Sequence, residues 1–192
     1  MRKLSVFFCM LMMGLFCACG KPADEQQNVI EEATTQENND TTDKEVYVLT
    51  FSATTIDGEE VTSDCFKDST LTMINVWGTF CNPCLQEMPD LGALANEYDN
   101  SEFQIYGIIT DVTQESNSED IENAKLLIED TQANYPHLLL NEELYVNLVS
   151  ASDSVPTTYF FNQQGELLGY LVGAQSKEGW KEIIDELLVK AK

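Results

Sequence analysis

Two thiols stand three positions apart in the stretch WGTFCNPCLQEMPDL, which runs from Trp77 to Leu91. Cysteines at the spacing of Cys81 and Cys84 suit three chemistries: a dithiol/disulfide couple, half of a metal site, or a structural clip. A structural zinc site needs four ligands, from a second such pair or from histidines. The globular part of this chain offers only Cys65 and His137 besides the pair. Neither a metal nor another cofactor is therefore expected. His137 lies in YPHLLL and reads as a surface or capping residue. Cys65, in TSDCFKD, reads as a small buried hydrophobe. A clip at this spacing is strained, and strained disulfides are the labile ones. Thiol–disulfide exchange fits best.

The elements around the pair favour that chemistry. LTMINVW (71–77) is an apolar, partly β-branched run of the kind buried on both faces of a sheet. After Cys81 the period changes. Leu85, Met88, Leu91, Leu94, Ala95 and Tyr98 recur at spacings of three and four, which predicts a helix from about Asn82 to Tyr98, bent near Pro89. Cys81 thus stands where a strand hands over to a helix. Free N–H groups and partial positive charge at a helix N-terminus stabilise a thiolate and lower its pKa. Cys81 is the expected attacker and Cys84, one turn further in, the resolver. Pro83 falls in the first turn, where its missing N–H costs little.

Further along, Phe51–Thr62 reads as a hairpin around Asp57-Gly58. FQIYGIIT (103–110) is a second buried strand, and 118–133 a helix. A short strand (137–140) and a short helix (142–149) follow. Two strands joined at Gln164-Gly165 and a final helix over 176–190 complete the chain. This order predicts an α/β domain with a central sheet covered on both faces.

The N-terminal region reads as an address. A basic start precedes an apolar run, Leu4 to Phe16, too short to span a bilayer and of the length of a secretory signal. Ala18-Cys19-Gly20 follows it and resembles a bacterial lipobox, which makes Cys19 the expected lipidation site and 1–18 the signal peptide. Residues 19–45 are polar, acidic and free of aromatics, the composition of a disordered tether. Residues 46–192 are long enough for one core. The full chain carries −23, and loss of Arg2 and Lys3 with the signal leaves 8 basic against 33 acidic residues, −25. Such a chain does not hold nucleic acid through its phosphates. Anionic headgroups repel it, so membrane attachment rests on the lipid.

With Trp77, Glu87 and Pro89 around the pair, W-G-T-F-C-N-P-C-x-x-E-M-P resembles the signature of the thioredoxin superfamily, and within it the extracytoplasmic TlpA/ResA-like thiol-disulfide reductases. A second motif agrees. Val155-Pro156-Thr157-Thr158 stands 71 to 74 residues after Cys84, just before YFFN. The resemblance covers about Phe51 to the C-terminus. It implies a thioredoxin-like fold, a central mixed sheet flanked by helices, with an N-terminal hairpin and a helical insertion at about 113–147. It implies a cis peptide bond before Pro156, beside the cysteine pair, where a substrate chain pairs as an added strand. Trp77, Phe80, Pro83, Val155, Pro156 and Thr157 are then the expected substrate-binding residues. Glu87 matches a glutamate of the ResA-like branch, and a partly buried carboxylate there would take the proton of Cys84 during resolution.

Two positions depart from the wider pattern. Phe80 replaces the usual tryptophan before the first cysteine. Asn75 stands where thioredoxin carries a buried, titrating aspartate.

The resemblance implies a lipid-anchored reductase that takes electrons from a CcdA/DsbD-type membrane donor. Its clients would be disulfides of exported proteins, with apocytochrome c or methionine sulfoxide reductase as candidates. Three alternatives compete. A disulfide-forming oxidase shares the fold, and Asn82-Pro83 between the cysteines does not decide direction. A thiol peroxidase needs a supporting arginine, and Arg2 is the chain's only one. A peptide-binding chaperone would keep its clients after loss of Cys81.

Overall fold

The computed structural model describes residues 46–191. The expected signal, Cys19 and the tether lie outside the described residues. An antiparallel hairpin of β1 (Ser52–Thr54) and β2 (Glu60–Thr62) comes first. Gly58, at φ 90°, takes the left-handed conformation its turn requires. A short 3-10 helix (Ser63–Asp68), not foreseen in the sequence, then buries Cys65 and Phe66.

The main sheet has the order β5-β4-β3-β6-β7. β3 (Leu71–Trp77) is its centre and is buried at all seven positions. β4 (Phe103–Ile109) and β5 (His137–Leu139) run parallel to it, β6 (Thr157–Asn162) runs antiparallel to it, and β7 (Leu167–Val172) runs antiparallel to β6. The expected mixed sheet is therefore present. Between the strands lie α1 (Asn82–Glu97), α2 (Ser118–Asp130) and α3 (Glu142–Asn147), with α4 (Lys177–Lys190) at the end. Among the described residues no helix is long and apolar enough to cross a membrane.

Side chains of β3 alternate between two cores. Leu71, Met73 and Trp77 join α1, α4 and Ala124 of α2 on one face. Ile74 and Val76 join Phe51, Phe66, Leu144 and Leu148 on the other. Asn75 is a polar residue fully buried in this central strand.

Local chemistry sets the helix ends. Asn117, Asn141 and Ser176 cap α2, α3 and α4 by accepting a backbone N–H. α2 stops at Asp130, three residues before the predicted end. Thr131 there turns its hydroxyl onto the Leu127 carbonyl, 2.6 Å away, and Gln132 adopts φ 55°. That turn brings the Gln132 carbonyl against α1, where a Cβ at Gly92 would lie 2.2 Å from it. Glycine at 92 is what lets the two segments meet. α3 also ends early, at Asn147, and gives way to a 3-10 turn over Val149–Ala151.

Candidate active site

Cys81 is the N-cap of α1 and Cys84 lies in its first turn. A disulfide joins them. The Sγ of Cys81 also accepts the backbone N–H of Cys84 at 3.2 Å. That N–H is one of the unpaired donors of a helix start, and it would stabilise a thiolate at the same sulfur. The first turn carries no acidic residue, despite the acidity of the chain. Cys81 is 5 % exposed and Cys84 0 %, so an incoming disulfide meets Cys81 first. The loop ahead of the pair is tied to the end of β4 through Thr79, whose N–H donates to Asp111 at 3.0 Å and whose hydroxyl donates to the same carboxylate.

The sheet brings the second motif to the same end. Val76 of β3 stands opposite Thr157 of β6, and the peptide bond Val155-Pro156 is cis. The carbonyl of Pro156 is already taken by the N–H of Gly173, and Thr157 is paired on both sides in the sheet. Among the described residues no group hydrogen-bonds the backbone of Val155. Phe80, 69 % exposed, lines a groove of about 250 Å³ with Val155, Val149, Asp153 and Tyr159.

These positions divide the six expected substrate residues. Phe80 and Pro83 are exposed and Val155 is half-buried at the groove. Trp77 is wholly buried. Its Nε1–H donates to Nδ1 of His137 at 3.1 Å, on the face of the sheet that packs against α1 and α4. The side chain of Thr157 is likewise 0 % exposed, though Thr157 lines the floor of the groove, and Pro156 is buried beside it. Thr157 opens β6 and Pro156 directly precedes it, which leaves both to shape the site rather than to present side chains to solvent.

Glu87 is buried, at 2 % exposure, one turn beyond Cys84 on α1. Its Oε1 accepts from Asn75 Nδ2 at 3.0 Å. Its Oε2 accepts the backbone N–H of Gln175 at 3.1 Å and the indole N–H of Trp180 at 3.2 Å. Loss of solvent dominates over these three donors and pushes the carboxyl up to about 7, with a further upward contribution from Asp90. A carboxyl with that affinity is poised to exchange a proton near neutral pH.

Two residues near this site were misread or passed over in the sequence. His137 is 2 % exposed, not a surface residue. The mutual fit of β4 and β5 encloses it: a Cβ at Gly107 would lie 2.2 Å from its Nδ1. Its Nε2–H donates to the Ala133 carbonyl at 3.0 Å, and burial lowers its pKa to about 4, so it is neutral. Trp180 is buried on the apolar face of α4, and its N–H gives no signal in the sequence. Among the described residues no group of three or more His, Cys, Asp and Glu could hold a metal ion.

A thioredoxin-like sheet carrying a CxxC disulfide at a helix start, beside a cis-proline loop, defines the class of thiol-disulfide oxidoreductases. The chain belongs to the AhpC/TSA family, whose model matches residues 46–168. It is similar to the thioredoxin-like protein YneN of Bacillus subtilis, 26 % identical over 135 residues that cover 70 % of this chain and 75 % of that protein. It is also similar to the thiol-disulfide oxidoreductase ResA of Bacillus cereus, 23 % identical over 67 % of this chain and 69 % of the relative. A thioredoxin-family thiol:disulfide interchange protein from Chlorobium tepidum has the same fold, with a TM-score of 0.64 and 24 % identity, covering 77 % of this chain and 99 % of its own. The chain is thus a thioredoxin-superfamily protein of the TlpA/ResA-like kind and a thiol-disulfide oxidoreductase.

Proposed function

We propose that the protein reduces disulfides of exported proteins outside the cytoplasmic membrane, anchored by a lipid at Cys19 after loss of residues 1–18 and held at a distance by the tether 19–45. Residues 46–192 form the working domain. The observation that carries the reading is the disulfide at the head of α1, with Cys81 the more exposed cysteine and Cys84 shielded, one turn from Glu87.

The cycle follows from these positions. In the reduced protein the Cys81 thiolate attacks one sulfur of a client disulfide, and the other client sulfur leaves as a thiolate. Cys84 passes its proton to Glu87 and attacks Cys81 Sγ in the mixed disulfide. The second client thiolate is released, and the Cys81–Cys84 bond holds the two electrons' worth of oxidation. A CcdA/DsbD-type membrane donor then returns two electrons, and protons from Glu87 and solvent restore the thiols. Phe80 and the groove beside Val155 receive the client chain, whose backbone pairs with Val155. Apocytochrome c and methionine sulfoxide reductase are clients compatible with such a surface. Residues 46–191 contain no arginine to assist a peroxide, which disfavours the thiol peroxidase reading.

The equilibrium reduction potential of the Cys81/Cys84 couple against a defined thiol buffer tests the direction. A value near or below about −250 mV, in the thioredoxin range, supports a reductase. A value near about −120 mV, in the range of strong oxidants, would replace it with disulfide formation.

A further inference from the structure

The partners of Glu87 are not equivalent. A backbone N–H and an indole N–H donate and never accept. Both sit on Oε2, from Gln175 and Trp180. A proton on Oε2 would face two donors and lose at least one of these hydrogen bonds. Oε1 has a different neighbour, the side-chain amide of Asn75, which carries a donor and an acceptor on one rotatable group. With Nδ2 turned to Glu87, that amide also donates to Thr158 Oγ1 at 3.0 Å, and its buried Oδ1 has no partner among the described residues. A buried acceptor left unpaired costs free energy, so its presence in a central strand calls for a reason.

We propose that Trp180 and Asn75 are positioning residues that fix where Glu87 carries its proton. Trp180, with the Gln175 N–H, reserves Oε2 as a permanent acceptor and sends the proton to Oε1. Asn75 then turns its amide over, so that Oδ1 accepts the new O–H. The Thr158 hydroxyl follows, because it donates as readily as it accepts. In the ionised state the amide turns back and Nδ2 supports the carboxylate. A non-titrating residue at 75 thereby serves a titrating one at 87. An aspartate at 75 would put a second carboxylate against Oε1.

The other groups acting on Glu87 are few. Among the described residues, Asp90, whose carboxylate accepts the Lys177 backbone N–H at 3.0 Å, and the neutral buried phenol of Tyr135 are its charged and titratable neighbours beyond the cysteine pair. In the disulfide form the pair does not titrate. The titration of the oxidised protein therefore reports the carboxyl without thiol ionisation.

The inference rests on the reading of Glu87 as the proton acceptor of Cys84, and its test is separable from that reading. The full chain in its disulfide form, with ¹³C-labelled glutamate carboxyls and ¹⁵N-labelled side chains, is titrated by NMR. The Glu87 carboxyl is expected to titrate near 7. The Asn75 Nδ2 resonances should move with the same midpoint, while the Trp180 indole N–H stays hydrogen-bonded throughout. Trp180→Phe removes a donor to the charged form and should raise the midpoint by about one unit. In Glu87→Gln the Asn75 resonances should lose their pH dependence in this range. Asn75 resonances that stay flat while Glu87 titrates would overturn the amide turn. An indole N–H released on protonation would put the proton on Oε2 and overturn the role of Trp180. The wild-type titration decides both points even if a variant fails to fold. Separately, a pH profile of disulfide turnover that is the same in wild type and Glu87→Gln would sink the proton-acceptor reading and leave the NMR result standing.

Discussion

Glu87 and His137 are both 2 % exposed, and Tyr135 lies near each: its ring is 4.5 Å from that of His137, and its phenol lies within electrostatic range of Glu87. Burial acts on the two in opposite directions, because it always disfavours the charged form. The acid is raised to about 7 and the base is lowered to about 4. One therefore titrates where a thiol exchange operates and the other does not titrate there at all. Their surroundings differ as well. His137 is fixed by one donor and one acceptor, Trp77 and Ala133, which suit a neutral ring. Glu87 has only N–H donors around it and stands one turn from Cys84. Equal burial has produced a structural group in one place and a working group in the other.

The sharpest break between the two regions is Cys81→Ser. It should reduce turnover of a disulfide substrate to the uncatalysed level, because the attacking sulfur is gone, while unfolding of the reduced protein stays close to wild type. Replacing His137 by Phe should do the reverse. It leaves the Trp77 N–H without an acceptor, at a cost of about 1–3 kcal/mol in unfolding free energy, yet the midpoint of the turnover–pH profile should not move.

A second contrast lies in stability against pH. Glu87, raised from 4.5 to about 7, contributes stability that is present below 4.5 and lost as pH rises through 7. His137, lowered from 6.5 to about 4, contributes stability that is present above 6.5 and lost as pH falls through 4. Between pH 4.5 and 6.5 the slopes oppose each other and nearly cancel. Relative to wild type, Glu87→Gln should then gain about 2–3 kcal/mol across that window as pH rises, and His137→Phe should lose a similar amount. Denaturant unfolding at several pH values checks both, and parallel curves for all three proteins would refute the assignment.

Gly107→Ala should act on the histidine side alone. Its new Cβ would lie 2.2 Å from the His137 ring, and the resulting overpacking should cost about 1–3 kcal/mol without changing the reduction potential. The smallest effect should come at the groove. Phe80→Ala removes an exposed ring, so stability should hold within about 0.5 kcal/mol, while kcat/KM for a peptide disulfide falls about tenfold through weaker docking.

Much of this arrangement was legible in the residues. The change from the buried run LTMINVW to helical spacing after Cys81 placed the pair at a strand–helix junction, and the structure puts it there. The strands and helices were found to within a few residues, because each carries its own period and caps. The 3-10 helix at Ser63–Asp68 and the early stop of α2 escaped, since single side-chain contacts and one left-handed residue set them.

What the chain alone determined is local: a disulfide couple at the head of a helix, a Val-Pro-Thr-Thr loop before a strand, and a glutamate one turn past the second cysteine. What only the tertiary structure decided is what those groups touch. Trp180 reaches Glu87 across 93 positions, Thr158 reaches Asn75 across 83, and His137 reaches Trp77 across 60. These contacts arise from the order of strands around β3 and from the packing of α4 on α1. No periodicity within a single segment records which distant donor will close over a buried carboxylate.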